Sequence, residues 1–567
     1  MSNVRDGGEV LLDAFRDLGV DYIICSPGSE WPPLWEAIAR QKRDGTAGPA
    51  YLDCGHETIA VTMAAAYTHI TGKLQAVLLH AGAGLQQGCM AVNSARALET
   101  PMLVMSGESA GYGEAEFDPG SQWYRNLGVV GGSQRLIEPM VKWAQQVPSA
   151  ETLYHSVVRA GEMAQRVPKG PTYLCVSMEA LLAPEGHFMG GRLAPPSPKI
   201  RPTDEDIEAV ARLIVAAKAP IISVLTAGPR PETLDALLDL AAAAAIPVVE
   251  GPGAFFSNFP KSNELYLGAD LRPLLGSRDL VLLVENATPW YPPSNHPSVP
   301  VVAIGESTIK GHLVYQSLGA QSYLDGDVGL TLRLLANAVR RLGLDTAMVA
   351  RRRADCAKHH AAWLDGLATA EAAARQKDTI TVPLLVETLQ KVLPRATSFI
   401  DETIVHQKGL RDHLRWDDSY TYFRAPSGLG QGLGYALGIK LALPERFVVV
   451  AIGDGTFMYN PVIPALALGD QQKLPLLIVI FNNMKYGVMK ELHHRFYSED
   501  ALKKDDDYYG VHLHDVAYER CASVVGGYFK RVEAPSELEA AVREAMVCVD
   551  AGRSAILNVI MPGRIAF

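Results

Sequence analysis

The chain has 567 residues, several times the roughly 100 to 200 of a usual domain, so about three domains with separate cores are expected and a small module is excluded. Hydrophobic residues at 48% and charged residues at 20% are ordinary for a globular protein and exclude extensive disorder. A formal net charge of −10 excludes a general attraction to nucleic-acid phosphates or to anionic lipid.

Taken in chain order, Met1 to Glu9 is polar rather than basic and then apolar, which reads against a secretory signal. Strands are expected at Tyr22–Cys25, Ala76–His80, Pro101–Ser106 and Thr172–Val176, with helices such as Val10–Leu18 and Glu57–Thr71 between them. Gly186 to Thr203, rich in glycine and proline, reads as a linker. A second unit carries strands at Pro220–Leu225, Pro247–Glu250, Leu280–Val284 and Val301–Ile304. Leu344 to Lys377 is Ala- and Arg-rich and reads as a surface helix joining domains.

The third unit starts near Thr381, with strands at Ser398–Asp401, Phe447–Ile452, Pro475–Phe481 and Ala555–Ile560. Apolar strands alternating with helices predict an α/β fold of parallel sheets flanked by helices, in three domains spanning 1–186, 187–375 and 376–567. No repeat of short period is evident, though the first and third units share a strand-helix rhythm. No apolar run approaches the ~18 residues of a membrane span. The seven cysteines (Cys25, Cys54, Cys89, Cys175, Cys356, Cys521, Cys548) form no CxxC pair, which suits reduced thiols and a cytoplasmic location.

The strongest chemical signal is Val448 to Asn483. One apolar strand ends in Gly453-Asp454-Gly455 and the next ends in Asn482-Asn483. A carboxylate and a carboxamide at the carboxyl ends of neighbouring parallel strands are hard oxygen donors, suited to Mg²⁺ bridging a diphosphate. The glycines let backbone approach phosphate oxygens, and Thr456 offers a further donor. Elsewhere, Cys54-Gly55-His56-Glu57 stands at a strand-to-helix junction, Pro426 to Gly438 is a Gly-rich entry to a helix, and Leu79-His80-Ala81-Gly82 closes a strand.

GDGTFMYNPVIPALALGDQQKLPLLIVIFNN resembles the diphosphate-binding motif of thiamine diphosphate enzymes, and the similarity to the acetolactate synthase and benzoylformate decarboxylase group extends over most of the chain. The 26 residues between Gly455 and Asn482 suit that motif. The resemblance implies Asp454, Asn483 and the carbonyl of Lys485 as metal ligands, with Gly453, Gly455, Thr456, Tyr486 and His406 around the cofactor's diphosphate. It implies Glu57 as the carboxyl bonded to N1′ of the aminopyrimidine, so that the imino tautomer can remove the C2 proton. Leu429 is then the apolar prop that bends the cofactor, and the Ser427 carbonyl accepts a bond from its amine.

Where acetolactate synthases carry a small hydroxyl residue, this sequence has His80, as the benzoylformate decarboxylase pattern does. An imidazole there can move protons near neutral pH. Ser29, in a loop similar to that enzyme's, is a candidate to hold the substrate carboxylate or carbonyl. Weaker candidates are Gln407 beside His406, the His493-His494 pair, and Trp31 with Trp35 as pocket lining; Lys142-Trp143 reads as structural.

The activity so implied is cleavage or formation of a C–C bond next to a carbonyl, on a small 2-oxo acid or aldehyde. His80 and Ser29 lean toward decarboxylation, and TFMYN after GDG leans toward carboligation. FAD is not expected, because no flavin-binding features stand around Leu225–Arg230 or Leu267–Arg278. A nucleotide-dependent oxidoreductase would need a GxGxxG fingerprint that the middle unit lacks. A non-catalytic cofactor-binding scaffold is the remaining rival, and Glu57 with Asp454 argues against it. The resemblance also implies a homodimer or homotetramer with active sites at subunit interfaces.

Overall fold

The structure, a computed structural model, describes residues 5–108, 117–118, 131–184, 193–497, 502 and 508–562. Its strands form three parallel sheets of six, five and six strands. The first contains β1 (Tyr22–Cys25), β2 (Ala50–Asp53), β3 (Ala76–Leu79), β4 (Met102–Glu108), β5 (Trp143–Gln146) and β6 (Pro171–Ser177), in the order β2-β1-β3-β4-β6-β5. The second contains β7 (Pro220–Val224), β8 (Val248–Glu250), β9 (Leu280–Val284), β10 (Val301–Gly305) and β11 (Ser322–Asp325), in the order β11-β10-β9-β7-β8. The third contains β12 (Thr397–Glu402), β13 (Tyr422–Arg424), β14 (Phe447–Gly453), β15 (Leu477–Asn482), β16 (Tyr528–Val532) and β17 (Ala555–Ile560), in the order β13-β12-β14-β15-β17-β16. The first and third sheets thus share one winding, as the shared rhythm of their sequences suggests.

Interior strands are buried from end to end, as in β3, β7, β9, β12 and β15, because helices cover both faces of a parallel sheet. The candidate strands omit β5, β11, β13 and β16, and β2 is implied only by the junction at 54–57. All five are sheet edges. An edge strand is half solvated, so its apolar run is broken and its signal weak.

Seven helices matter below: α1 (Glu57–Thr71), α2 (Ala83–Ala97), α3 (Ala150–Gln165), α4 (Thr346–Ala374), α5 (Gly432–Ala442), α6 (Asp454–Tyr459) and α7 (Gly487–Phe496). The expected surface helix is α4, with few buried residues along its 29. Within the expected linker, residues 185–192 lie outside the described set and 193–203 form no helix or strand. Lys142 closes α3, its Nζ donating to the carbonyls of Met163 and Arg166 at 2.6 Å each, and Trp143 stacks under Arg159. All seven cysteines are free.

By backbone contacts the chain divides into two compact units. One is Met1–Pro198 with Pro426–Glu445 and Met458–Leu474; the other is Lys199–Ala425, Arg446–Phe457 and Pro475–Phe567. The first unit therefore holds the first sheet together with α5. There α5 packs on α1 at glycine contact distance: a Cβ on Gly434 would fall 2.2 Å from Thr62 Oγ1, and one on Gly438 would fall 2.3 Å from the Met63 carbonyl. His69 fastens the pair, with Nδ1 2.7 Å from the Tyr435 hydroxyl and Nε2 2.7 Å from Thr100 Oγ1.

The second unit holds the other two sheets. Residues 255–257 run beside β13 and cover its edge, with Arg424 N–H donating to the Phe255 carbonyl at 2.8 Å and Ser257 N–H to the Tyr422 carbonyl at 3.1 Å. Below them Lys261, 2% exposed, donates to the carbonyls of Arg411 and Leu414. Its Nζ lies 3.6 Å from the centre of the Trp416 ring. Glu250 and Arg411, both buried, pair at 3.7 Å beside it.

Candidate active site

Strand order reverses between β1 and β3, and in open α/β sheets ligands bind beyond the carboxyl ends of the strands at such a reversal. Ser26 to Ser29 leave β1 there and His80 follows β3, with Ser26 N–H donating to the Leu78 carbonyl at 2.9 Å. Glu57 opens α1, at the end where the helix dipole favours a carboxylate. His56 caps that end, its Nδ1 accepting the Thr58 N–H at 3.1 Å.

Glu57 and His80 meet across Gly84 of α2. A Cβ on Gly84 would lie 2.9 Å from His80 Cβ and 3.0 Å from Glu57 Oε1. Gly88, one turn on, clears the same helix face, and a Cβ there would lie 3.6 Å from Glu57 Cβ. Nothing in the sequence pattern of α2 announces this, because the two glycines act only once α1 and β3 are brought to them.

His80 Nδ1 lies 2.9 Å from Oε2 of Glu30. Glu30 is 1% exposed, and the imidazole keeps a quarter of its surface open. The hydrogen bond to Glu30 pushes the His80 pKa above the ordinary value; burial opposes it, and the charges of Glu30 and Glu57 add to it. Glu30 is absent from the sequence candidates, since a lone acid ahead of a tryptophan carries no pattern.

Ser29 is exposed. Trp31 is fully buried and donates from Nε1 to the Leu79 carbonyl at 3.3 Å, so it is core and lines no pocket. Trp35 is exposed and bonds the Tyr51 hydroxyl at 2.8 Å.

Ser427 and Leu429 lie in the loop before α5, within the same unit. The Ser427 carbonyl accepts from Ser94 Oγ of α2 and from Gln431 Nε2 at 2.6 Å. Both of its lone pairs are thus served by side chains, and an incoming amine would compete with them. Leu429, half-buried, is flanked by Gly428 and Gly430 at φ +90° and +84°, where L residues are strained. A Cβ on Gly430 would also strike the Tyr459 carbonyl at 2.3 Å.

The second group lies in the other unit, again where strand order reverses, between β12 and β14. The register pairs Gly453 with Phe481 and Glu402 with Ile452. Asp454, Asn482-Asn483 and the segment from Thr403 to His406 therefore leave the sheet along one edge. Asp454 is 3% exposed. Its Oδ1 accepts the Gly455 N–H at 2.9 Å, while Oδ2 is buried without a donor among the described residues.

Burial pushes the Asp454 carboxyl up to about 6, against the pull of the N–H groups of Gly455, Met484 and Lys485. A buried carboxylate oxygen with no donor is a seat for a cation. Asn483 is 3% exposed, and its Oδ1 accepts the Lys485 N–H at 3.1 Å. Met484 stands between them at φ +54°. The bridge from here to His512 uses the Met484 carbonyl and the Tyr486 N–H; the Lys485 carbonyl is neither of these.

The neighbours have separate tasks. Asn482 is structural, donating to Asn558 Oδ1 at 3.0 Å. The Tyr486 ring lies over Gly455, where a Cβ would come within 2.4 Å of it. The Thr456 hydroxyl, expected as a free donor, is tied to the carbonyls of Glu402 (2.8 Å) and Gly453 (3.0 Å).

His406 is buried, which pushes its pKa down to about 4, and its Nδ1 has no partner among the described residues. It is a neutral imidazole with one nitrogen unspent. Gln407 turns instead to the Tyr422 hydroxyl. His493 and His494 on α7 pack against Tyr508, with His494 Nε2 3.0 Å from its hydroxyl.

Among the described residues no three His, Cys, Asp or Glu side chains gather as a metal cluster. A carboxylate, a carboxamide and a carbonyl, the donors expected here, would suit a hard cation such as Mg²⁺. No helix among the described residues is long and apolar enough to cross a membrane.

Two family models match the chain: the thiamine pyrophosphate enzyme N-terminal TPP binding domain over residues 5–123, and the C-terminal TPP binding domain over residues 406–559. The chain is 24% identical over 504 residues to a benzoylformate decarboxylase of Pseudomonas aeruginosa, covering 84% of this chain and 86% of that one. It is also 24% identical over 590 residues to the mitochondrial acetolactate synthase catalytic subunit of Aspergillus candidus, covering 98% and 80%. A solved thiamine diphosphate-dependent 4-hydroxybenzoylformate decarboxylase of Rhodococcus jostii shares the fold, with a TM-score of 0.78 at 20% identity over 99% of this chain and 100% of that one. Both modules that give this fold its cofactor are therefore present in one polypeptide, and the chain belongs to the thiamine diphosphate-dependent enzymes, in the group of the acetolactate synthases and benzoylformate decarboxylases.

Proposed function

We propose that the chain is a 2-oxo acid decarboxylase dependent on thiamine diphosphate and Mg²⁺. The observation that carries the choice is His80, a proton-carrying side chain at the end of β3 with Glu57 beside it across Gly84. Asp454, Asn483 and the Lys485 carbonyl would hold the metal, and Gly453, Gly455, Thr456 and Tyr486 the diphosphate, with His406 as a neutral donor or acceptor. The cofactor, when bound, supplies the electron sink that a keto acid lacks.

Glu57 holds or yields the proton that sets the aminopyrimidine tautomer, and Leu429 shapes the cofactor's seat. Ser29, exposed at the mouth of the β1 loop, binds the substrate carboxylate or carbonyl. His80 hands a proton to the carbon that has lost its carboxylate, and an aldehyde is released.

A carboligase is the second reading, favoured by the similarity to acetolactate synthases at the same level of identity. In that reading the same carbon joins a second carbonyl compound in place of a proton. A scaffold that binds the cofactor without catalysis would have no use for Glu57. We further infer a homodimer or homotetramer with active sites between subunits, and no flavin.

The test is incubation of the protein, loaded with magnesium and cofactor, with mixed 2-oxo acids and aldehydes, and identification of products by mass. CO₂ with one aldehyde per acid supports the decarboxylase. A hydroxyketone product with little aldehyde supports the carboligase, and no product from any pair overturns both.

A further inference from the structure

Glu30 lies directly after the β1 loop, and its carboxylate is enclosed by backbone on two sides. A Cβ on Gly28 would fall 2.1 Å from His80 Nδ1 and 2.2 Å from Glu30 Oε2. A Cβ on Gly107 of β4 would fall 2.4 Å from Glu30 Cβ. The next residue, Trp31, is fully buried and bonded to the Leu79 carbonyl. It anchors the loop to the strand from which His80 emerges.

Glu30 is thus no solvated surface acid. It is 1% exposed, it holds His80 at 2.9 Å through Oε2, and its Oε1 is buried without a partner among the described residues. A carboxylate only accepts, so in the pairing with its anion Nδ1 of His80 carries the hydrogen between them. The ring is locked by that bond. Nε2, which has no partner among the described residues, is left on the open edge.

We propose that Glu30 is a positioning residue for the reaction: by accepting the Nδ1–H of His80 it fixes the imidazole so that Nε2 faces the substrate, and its charge keeps that ring a proton donor. This rests on the reading of the site as a 2-oxo acid decarboxylase and adds which group orients its acid. In the step concerned, the bond from the keto carbon to the carboxylate breaks and CO₂ leaves. The electron pair stays on that carbon and takes the proton from Nε2, and water returns a proton to the ring.

Among the described residues the charges that act on His80 are those of Glu30 and of Glu57 of α1. Of these only Glu30 bonds the ring. Its removal takes away both the orientation and the nearest negative charge.

The test reads His80 directly. The rate at which diethyl pyrocarbonate acylates His80, followed against pH by peptide mass mapping, reports its neutral fraction without any turnover. Glu30→Gln is expected to lower the pH of half-reactivity. It should also lower kcat for aldehyde release about 10- to 100-fold with KM little changed, and raise the hydroxyketone share when an aldehyde is present.

Gly28→Ala, whose methyl falls between the two side chains, is the second variant and should move the profile the same way. An unmoved profile in folded variants overturns the pairing. A moved profile with kcat unchanged overturns the positioning role. Wild-type protein that turns over no 2-oxo acid, in a preparation where the profile does shift, overturns the enzymatic reading and not the Glu30–His80 contact.

Discussion

Gly84 shows how narrowly the catalytic pair is accommodated. A methyl there would meet His80 and Glu57 at about 3 Å, so Gly84→Ala must push one of them aside. The expected result is a fall in kcat of about 100-fold with melting temperature little changed, measured by steady-state kinetics and calorimetry. A variant of full activity would mean that Glu57 and His80 do not act together.

His80 also makes a thermodynamic prediction. Its folded pKa is raised by the bond to Glu30, so the folded state binds the proton more tightly than the unfolded chain. The contribution to stability is fully present below the unfolded value near 6.5 and is lost as pH rises through the higher folded value. In urea titrations the gap between the wild type and His80→Gln should therefore narrow as pH rises above 6.5. Glu57, Asp454 and Asn483 were legible because they belong to motifs. Glu30 was not, because its role exists only through a contact made 50 residues away.

Helices α1 and α5 touch so closely that glycine is required at the contact, and this is how the helix carrying Glu57 is set in place. Gly434→Ala would force a methyl to 2.2 Å from Thr62 Oγ1. Overpacking of this kind costs about 1–3 kcal/mol, visible as a lower denaturation midpoint with unchanged slope. Pro426 to Gly438 was recognisable as a Gly-rich helix entry, but which glycines serve the turn and which serve the contact is decided by the partner helix.

Lys261 is the corresponding element-level tie in the other unit, joining the chain below the middle sheet to the carbonyls of Arg411 and Leu414. Burial pushes its pKa well below the ordinary lysine value, against the opposing pull of Glu250, and the Trp416 face lies over its ammonium. Lys261→Ala leaves Glu250 and Arg411 with an altered, still buried pairing and is expected to cost about 3–5 kcal/mol, read by calorimetry. Nothing in the sequence marks this lysine, since a buried cation is recognised only by what encloses it.

For the whole molecule, the three-sheet architecture was readable from the alternation of apolar strands with helices, and the shared winding of the first and third sheets from their common rhythm. If active sites form between subunits, dilution below the dissociation constant should reduce specific activity and sedimentation coefficient together; a monomer of full activity would contradict it.

By itself the sequence determined the fold class, the interior strands and the place of the Gly453-Asp454-Gly455 and Asn482-Asn483 segments at strand ends, because these are written in local periodicity and short spacings. Only the tertiary structure decided the edge strands β2, β5, β11, β13 and β16, the burial of Trp31 and His406, the double service of the Ser427 carbonyl and the Glu30–His80 bond. Each depends on solvent exclusion or on an approach between segments far apart in the chain, and neither leaves a trace in local sequence.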